Sequence, residues 1–145
     1  MPDYSHFDGR PFVAPWGGHD DFRYDAWRTI SNPAVDYAWW AADPWQVEQS
    51  NRVLTFLASH GAKIPDQYKV DGTPISTDVN APGLIAMAAS GALAADRSVG
   101  EPFVQRLWDQ NMPNGRHRYY NGLLTMLGLL EVSGNFRVYD APVAP

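Results

Sequence analysis

The chain has 145 residues, a length that fits one domain, and 45% of them are hydrophobic and 13% aromatic, so it can bury a core and is not expected to be disordered. Its net charge is −5 and it has no cluster of Lys and Arg, which argues against a nucleic-acid surface. It has no cysteine, which excludes disulfides, thiolate zinc sites and cysteine nucleophiles.

Residues 1–22 are rich in Pro and Gly, which break regular elements, yet they also carry several aromatic side chains. This combination predicts an ordered loop that packs on a surface. The segment has no charged region followed by an apolar stretch, so a signal peptide is not expected and a cytoplasmic location is favoured. The apolar runs at 83–95 and 122–132 are too short to span a bilayer, so no membrane association is expected.

The first predicted helix covers about residues 24–42, where apolar side chains recur at steps of three and four. Pro33 lies inside this pattern and predicts a kink or a break near residues 31–32. Trp39 and Trp40, near the end of the helix, are expected in the core, with a sugar platform as the less favoured alternative.

The second predicted helix has a clear start. Asp43 can cap it, Pro44 suits the first helical position and Gln46 stands where a capping box has its Glu or Gln. Gly61 is expected to follow the end of the helix. In the connection over residues 62–78, the sequence DGT predicts a turn, and 68–70 with 74–76 are expected to flank it as a short hairpin.

Three further helices are predicted, at about 82–94, 101–110 and 119–132. The fourth should begin next to Pro102, because proline is favoured in the first turn. The third and fifth are apolar on most faces, and a helix that is apolar all round has to be buried all round. Five helices in 145 residues barely suffice to bury two of them, which suggests that the chain belongs to a larger helical assembly.

The segment from Phe22 to Gln46 holds the most informative candidates for chemistry. Asp25 is expected at the start of the first helix, and Arg28 follows one turn later on the same face. An arginine there keeps a carboxylate ionised and oriented, as a general base requires. On spacing alone, an ordinary surface salt bridge remains the alternative.

Other kinds of site have weaker support. The four histidines are widely spaced and form no metal-binding pattern, and neither a nucleophile elbow nor a phosphate-binding GxxxxGK sequence is present. No metal or other cofactor is therefore expected. Trp16, Tyr24 and Trp27 lie close to Asp25 in sequence and are candidates for contacting a sugar, since aromatic rings stack on sugar faces.

Three long segments resemble the family 8 glycoside hydrolases, and among them the members that act on xylo-oligosaccharides. They are YDAWRTISNPAVDYAWW followed by ADPWQVEQSNRVLTFL, DGTPISTDVNAPGLIAMAASGALAA, and RYYNGLLTMLGLLEVSGNFRVY. The resemblance extends from about Tyr4 to Tyr139. It implies an all-α fold, part of an (α/α)6 barrel with about five helices and long ordered loops, and inverting hydrolysis of β-1,4-glycosidic bonds in xylo-oligosaccharides or xylan. A cellulose-type β-1,4-glucan is the alternative substrate.

The resemblance also implies roles for individual residues. Asp25 is the general base that activates water, Arg28 holds it, and either Tyr119 or Tyr120 lines the sugar site.

The family's general acid is a Glu in the N-terminal part of the enzyme, and it has no counterpart in this sequence. Inverting hydrolysis needs two carboxyl groups, typically ~6.5–9.5 Å apart. Residues 1–145 are therefore expected to be the C-terminal part of one catalytic domain. The expected partners are an oligosaccharide and the remaining N-terminal part of the same enzyme. A catalytically incomplete carbohydrate-binding fragment is the alternative for the chain alone.

Overall fold

The computed structural model describes residues 1–137, so the last two matched residues, Val138 and Tyr139, and most of the expected Pro-rich tail lie outside it. The described part is helical, and in it extended pairing is confined to isolated β-bridges, as expected for an all-α fold. The elements are a 3₁₀ turn at Tyr24–Thr29, α1 at Ser31–Trp40, α2 at Pro44–Ala58, α3 at Pro82–Gly91, α4 at Arg97–Asp109 and α5 at Arg118–Val132. None of these helices is long and apolar enough to cross a membrane.

Helix α3 lies at the centre of the structure and contacts all four other helices and the 3₁₀ turn. Every residue from Gly83 to Gly91 is buried, as the apolar sequence predicts. Small residues allow the close packing. An added Cβ at Gly128 of α5 would lie 2.9 Å from the backbone oxygen of Ala86, so these two helices touch through their backbones.

Helix α5 departs from the expectation of burial on every face. Its inner side packs on α3 through buried residues such as Leu124. Its other side exposes apolar residues at helical spacing, which lie on one stripe. The open stripe consists of Tyr119, Leu123, Met126 and Leu130. Four neighbouring helices suffice to enclose α3 but leave this side of α5 uncovered.

Trp39 and Trp40 were expected in the core, and the structure shows that this is wrong. They are 39% and 63% exposed. The Trp39 ring stacks on Phe136, just beyond α5, and its Nε1 donates to the Phe136 backbone oxygen at 3.3 Å. The end of α1 therefore meets the segment after α5, and no further helix covers the two rings among the described residues.

The predicted break near Pro33 and the predicted start of α2 are both confirmed. The 3₁₀ turn ends at Thr29 and α1 begins at Ser31, which places Pro33 in the first turn of α1, where its missing N–H costs no helical hydrogen bond. At the start of α2, the Asp43 side chain accepts from the Trp45 backbone nitrogen at 2.9 Å. Gln46 does not complete the capping box, because its side chain donates to Asp36 instead.

Helix α4 begins at Arg97, four residues before its expected start, and Pro102 lies inside it. The physical reason is a contact from another helix. The side chain of Asn51 on α2 accepts a hydrogen bond from the Asp96 backbone nitrogen at 2.9 Å and donates one to the Asp96 carboxylate. These two hydrogen bonds fix the backbone where α4 begins. Gly100 allows the first turn to lie against Ala92, since an added Cβ would meet the Ala92 side chain at 2.6 Å.

The long segments outside the helices are ordered, as expected. In the N-terminal loop, the backbone nitrogen of Asp3 donates a hydrogen bond to the Asp21 backbone oxygen at 2.7 Å, and the backbone nitrogen of Phe12 donates one to the Tyr4 backbone oxygen at 3.0 Å. In the 62–81 connection, the expected hairpin is reduced to isolated antiparallel bridges: Tyr68 pairs with Pro74, and Pro65 pairs with Val79 farther from the turn.

Replacing Gly128 with Ala should destabilise the protein by about 1–3 kcal/mol, because the new methyl group would meet a backbone oxygen that cannot easily move. Thermal unfolding followed by circular dichroism measures the effect as a Tm lowered by several degrees. Gly122→Ala is the matched control on the same helix: its Cβ would meet nothing within 4 Å, so it should be neutral or stabilising by ~0.5–1 kcal/mol. Equal Tm values for the two variants would contradict the close α3–α5 contact.

Stability should also depend on pH through Glu131 of α5. Burial raises the pKa of this carboxyl above its ordinary value of 4.5, against a smaller opposing effect of the Ser90 hydroxyl. Its neutral form therefore stabilises the fold fully below about pH 4.5, and this stabilisation is lost as the pH rises through the raised value. Glu131→Gln removes the titration, so its Tm should improve relative to the parent between pH 4 and pH 7.

The exposed Glu101 provides the control of opposite sign, because a hydrogen bond from Arg97 lowers the pKa of that carboxyl. Its stabilising ion pair is present above the ordinary pKa and is lost as the pH falls. The Glu101→Gln variant should therefore be slightly less stable than the parent protein at pH 7, and this difference should shrink at pH 4. Parallel Tm curves for Glu131→Gln and the parent protein would refute the role given to burial.

Candidate active site

The structure brings Asp25 and Arg28 together as the sequence predicts. Both lie on the 3₁₀ turn, and Nη2 of Arg28 is 2.8 Å from Oδ1 of Asp25. Each side chain is 51% exposed, so the pair adds only ~0–1 kcal/mol to stability. Its main effect is to orient the carboxylate.

Tyr120 of α5 makes a second contact with the same carboxylate oxygen. Its hydroxyl donates to Oδ1 of Asp25 at 3.3 Å. Burial, together with the negative charge of Asp25, raises the pKa of Tyr120 to about 12, so its hydroxyl remains a donor at neutral pH. Because Arg28 and Tyr120 both engage Oδ1, Oδ2 is the oxygen left to accept a proton.

Tyr24 and Trp27 surround Asp25 in different ways. Tyr24 is 42% exposed and has a φ of +42°, which is unusual for a residue other than glycine and is often found at functional sites. Trp27 is only 2% exposed, and its ring contacts those of Tyr24 and Tyr120. Trp27 therefore supports the site from beneath, and Tyr24 offers the accessible ring.

Asp25 and Tyr120 face a cleft of about 450 Å³ beside the starts of α3 and α5. Most of the residues around this cleft carry a polar group, although most of the surface that they present to it is apolar. The lining residues are Tyr24, Asp25, Trp27, Asp66, Gln67, Asp78, Ala81, His117, Tyr120 and Asn121.

Hydrogen bonds from three parts of the chain fix the cleft wall. Asn80 adopts a left-handed φ of +55°, and its side chain bonds to Ile64 and Ala62 of the 62–81 connection. The side-chain oxygen of Asn121 accepts from the Gly83 backbone nitrogen at 3.0 Å and so caps α3 from α5. The connection, α3 and α5 are thereby held around Asp25.

Sequence reasoning missed the wall residues Asp66, Gln67, Asp78, His117 and Asn121. Asn121 belongs to the RYYNGLL segment, so its motif was identified but its own role was not. Asp66, Gln67 and Asp78 come from an irregular connection, where spacing carries no information on which side chains face a cleft.

The remaining predicted sugar-binding residues lie elsewhere. Of the tyrosine pair, Tyr120 lines the cleft, whereas Tyr119 is 83% exposed and belongs to the open stripe of α5. Trp16 is 73% exposed in the N-terminal loop, with ring contacts to Tyr4 and Phe12. Among residues 1–137, no group of three or more His, Asp or Glu is arranged to hold a metal ion.

No protein-family model matches the chain. Individual proteins do match it. Over 142 residues it is 39% identical to the reducing-end xylose-releasing exo-oligoxylanase Rex8A of Paenibacillus barcinonensis, an alignment that covers 95% of this chain and 37% of that protein. Over 140 residues it is 31% identical to endoglucanase A of Acetivibrio thermocellus, covering 94% of this chain and 28% of that protein.

Solved structures of related proteins also superimpose on this chain. A GH8 xylobiose complex from Teredinibacter turnerae superimposes with a TM-score of 0.88 at 40% identity, over 94% of this chain and 35% of that one. Rex8A of P. barcinonensis complexed with xylose superimposes with a TM-score of 0.89 at 37% identity, over 97% and 38% of the two chains. The chain thus spans between 28% and 38% of the length of these relatives.

Proposed function

We propose that this chain, which belongs to the family 8 glycoside hydrolases and spans 28–38% of the length of the relatives compared, forms the part of an (α/α)6 catalytic domain that carries the general base. The observation that supports this role is the carboxylate of Asp25, which opens on a cleft and has one oxygen engaged by both Arg28 and Tyr120. Residues 1–145 are then the C-terminal part of that domain.

In the proposed reaction, Oδ2 of Asp25 removes a proton from a water molecule as the water attacks the anomeric carbon of a sugar in the cleft. The bond from that carbon to the glycosidic oxygen breaks, and the leaving oxygen takes a proton from a general acid. Because water attacks opposite the leaving group, the configuration at the anomeric carbon is inverted. Arg28 and the Tyr120 hydroxyl hold the carboxylate in its direction throughout.

The proposed substrate is a β-1,4-linked xylose chain. Three exo-oligoxylanases are 32–39% identical to this chain, whereas three endoglucanases are 26–31% identical. A β-1,4-glucan is the second candidate because the endoglucanases match over the same share of the chain.

The general acid is proposed to come from a further part of the catalytic domain, in line with the family resemblance. The open side of the structure supports such an arrangement. Leu123, Met126 and Leu130 of α5 expose an apolar stripe of the kind that another helix covers. Without that part, the chain is proposed to bind xylo-oligosaccharides and not to cleave them.

A chimera tests the role of Asp25. The chain replaces the matching third of Rex8A of P. barcinonensis, and hydrolysis of xylohexaose is measured by the release of reducing sugar and by the anomer first seen by NMR. The chimera should release the inverted α-anomer, and Asp25→Asn should reduce kcat by about 10²–10⁴-fold, because the general base is lost. Full activity of the Asp25→Asn chimera, or a β-anomeric first product, would refute the assignment.

The same chimera separates the two adjacent tyrosines. Tyr120→Phe removes the hydrogen bond to Asp25 and should lower kcat roughly tenfold, since hydrogen bonds to charged groups are worth about 1.5–3 kcal/mol. Tyr119→Phe is the matched control and should leave kcat within twofold, because its side chain lies outside the cleft. Equal losses in the two variants would contradict a specific contact between Tyr120 and the base.

A further inference from the structure

The sequence contains two Asn–Gly pairs, and the structure places them in different surroundings. Asn114 and Gly115 lie between α4 and α5, where neither residue is helical and both are exposed. Asn121 and Gly122 lie within α5. An asparagine side chain is attacked most readily by the backbone nitrogen of a following glycine, because glycine has no Cβ to hinder the approach. The two pairs therefore allow a comparison within one chain.

The reacting groups of the Asn114–Gly115 pair are not engaged elsewhere. Within residues 1–137, the Asn114 side chain makes no hydrogen bond and the Gly115 backbone nitrogen donates none. A Cβ added at Gly115 would meet nothing within 4 Å, and its φ of +73° lies in the range that glycine adopts without strain. The surroundings of Gly115 thus leave room for its nitrogen to approach the amide carbon of Asn114.

The Asn121–Gly122 pair is held in the opposite condition. The side-chain oxygen of Asn121 accepts from the Gly83 backbone nitrogen at 3.0 Å, which fixes the amide. Gly122 is the fifth residue of α5, so the helical pattern pairs its nitrogen with the Arg118 carbonyl. This end of α5 would have to open before Asn121 could react, and the opening of a packed helix costs free energy.

We propose that Asn114 is a site of spontaneous chemical modification, at which the side-chain amide becomes a carboxylate while the protein is folded. The Gly115 nitrogen attacks Cγ of Asn114 and forms an N–Cγ bond. The Cγ–Nδ2 bond breaks, and Nδ2 leaves as ammonia with the proton that the Gly115 nitrogen gives up.

Water then opens the resulting five-membered imide ring at position 114. Addition of water at Cγ gives aspartate, and addition at the backbone carbonyl carbon gives isoaspartate, in which the main chain runs through the former side chain. Each product carries one more negative charge than the parent. Since the reaction consumes only water, it does not depend on the sugar that the cleft binds.

The modified residue is linked to the start of α5. The Gly115 carbonyl accepts from the Arg118 backbone nitrogen at 3.3 Å and from Nη1 of Arg118 at 3.1 Å. His117, which lies between them in sequence, lines the cleft. A negative charge ahead of a helix N-terminus is favourable, so the folded protein tolerates the aspartate product.

The test follows both asparagines in the purified chain during incubation in mildly alkaline buffer. Mass spectrometry of the two peptides detects the conversion, which adds about one dalton. Asn114 should convert at least about tenfold faster than Asn121, because Asn121 reacts only from an opened helix. In concentrated urea the two residues should convert at similar rates, since unfolding removes the protection of Asn121.

Two variants at position 114 serve as controls. Asn114→Gln keeps the amide but would have to close a six-membered ring, so the conversion should be lost at this position. Asn114→Asp carries the product charge from the start and should have the Tm of the parent. An Asn114 that stays intact in the folded chain would overturn the proposal, as would equal rates for the two asparagines in that state. A Tm of Asn114→Asp lowered by several degrees would also overturn it, because the product could not then accumulate in folded protein.

Discussion

The contact between the backbones of α3 and α5 is the constraint on which the rest of the structure depends. Gly128 brings α5 against Ala86, and α3 is then enclosed by its neighbours from Gly83 to Gly91. With the two helices this close, their N-terminal ends meet at one place, where Asn121 caps α3. The cleft beside Asp25 is formed at that meeting point, so core packing sets the geometry of the site.

The helices whose start or break depends on local chemistry could be predicted from sequence. Asp43 and Pro44 mark the start of α2, and Pro33 marks the division between the 3₁₀ turn and α1. The start of α4 could not be predicted, because a side chain of α2, Asn51, fixes it across the structure. The exposure of Trp39 was predicted wrongly because a partner is absent. The sequence around Trp39 is typical of a buried helix, but the described part of the chain has no helix that covers its ring.

In the candidate site, too, local contacts could be predicted from the sequence and contacts between distant residues could not. Asp25 and Arg28 could be paired from their spacing alone, because three residues make one turn. The contact of Tyr120 with Asp25 joins residues 95 positions apart, and only the resemblance to a family pointed to that tyrosine. Asp66 could not be identified from the sequence pattern, because it lies in an irregular connection. Hydrogen bonds of Asn80 and Trp27 set the path of that connection.

The bond from Trp27 to the Asp66 carbonyl has a consequence for how this cleft changes in evolution. It uses a backbone oxygen, which every amino acid supplies, so the side chain at position 66 is free to vary while the bond is kept. A substitution of Asp66 can therefore change the groups that line the cleft while the hydrogen bond to the turn that carries Asp25 is kept. The groups that line the cleft can in this way change while the proposed general base keeps its position.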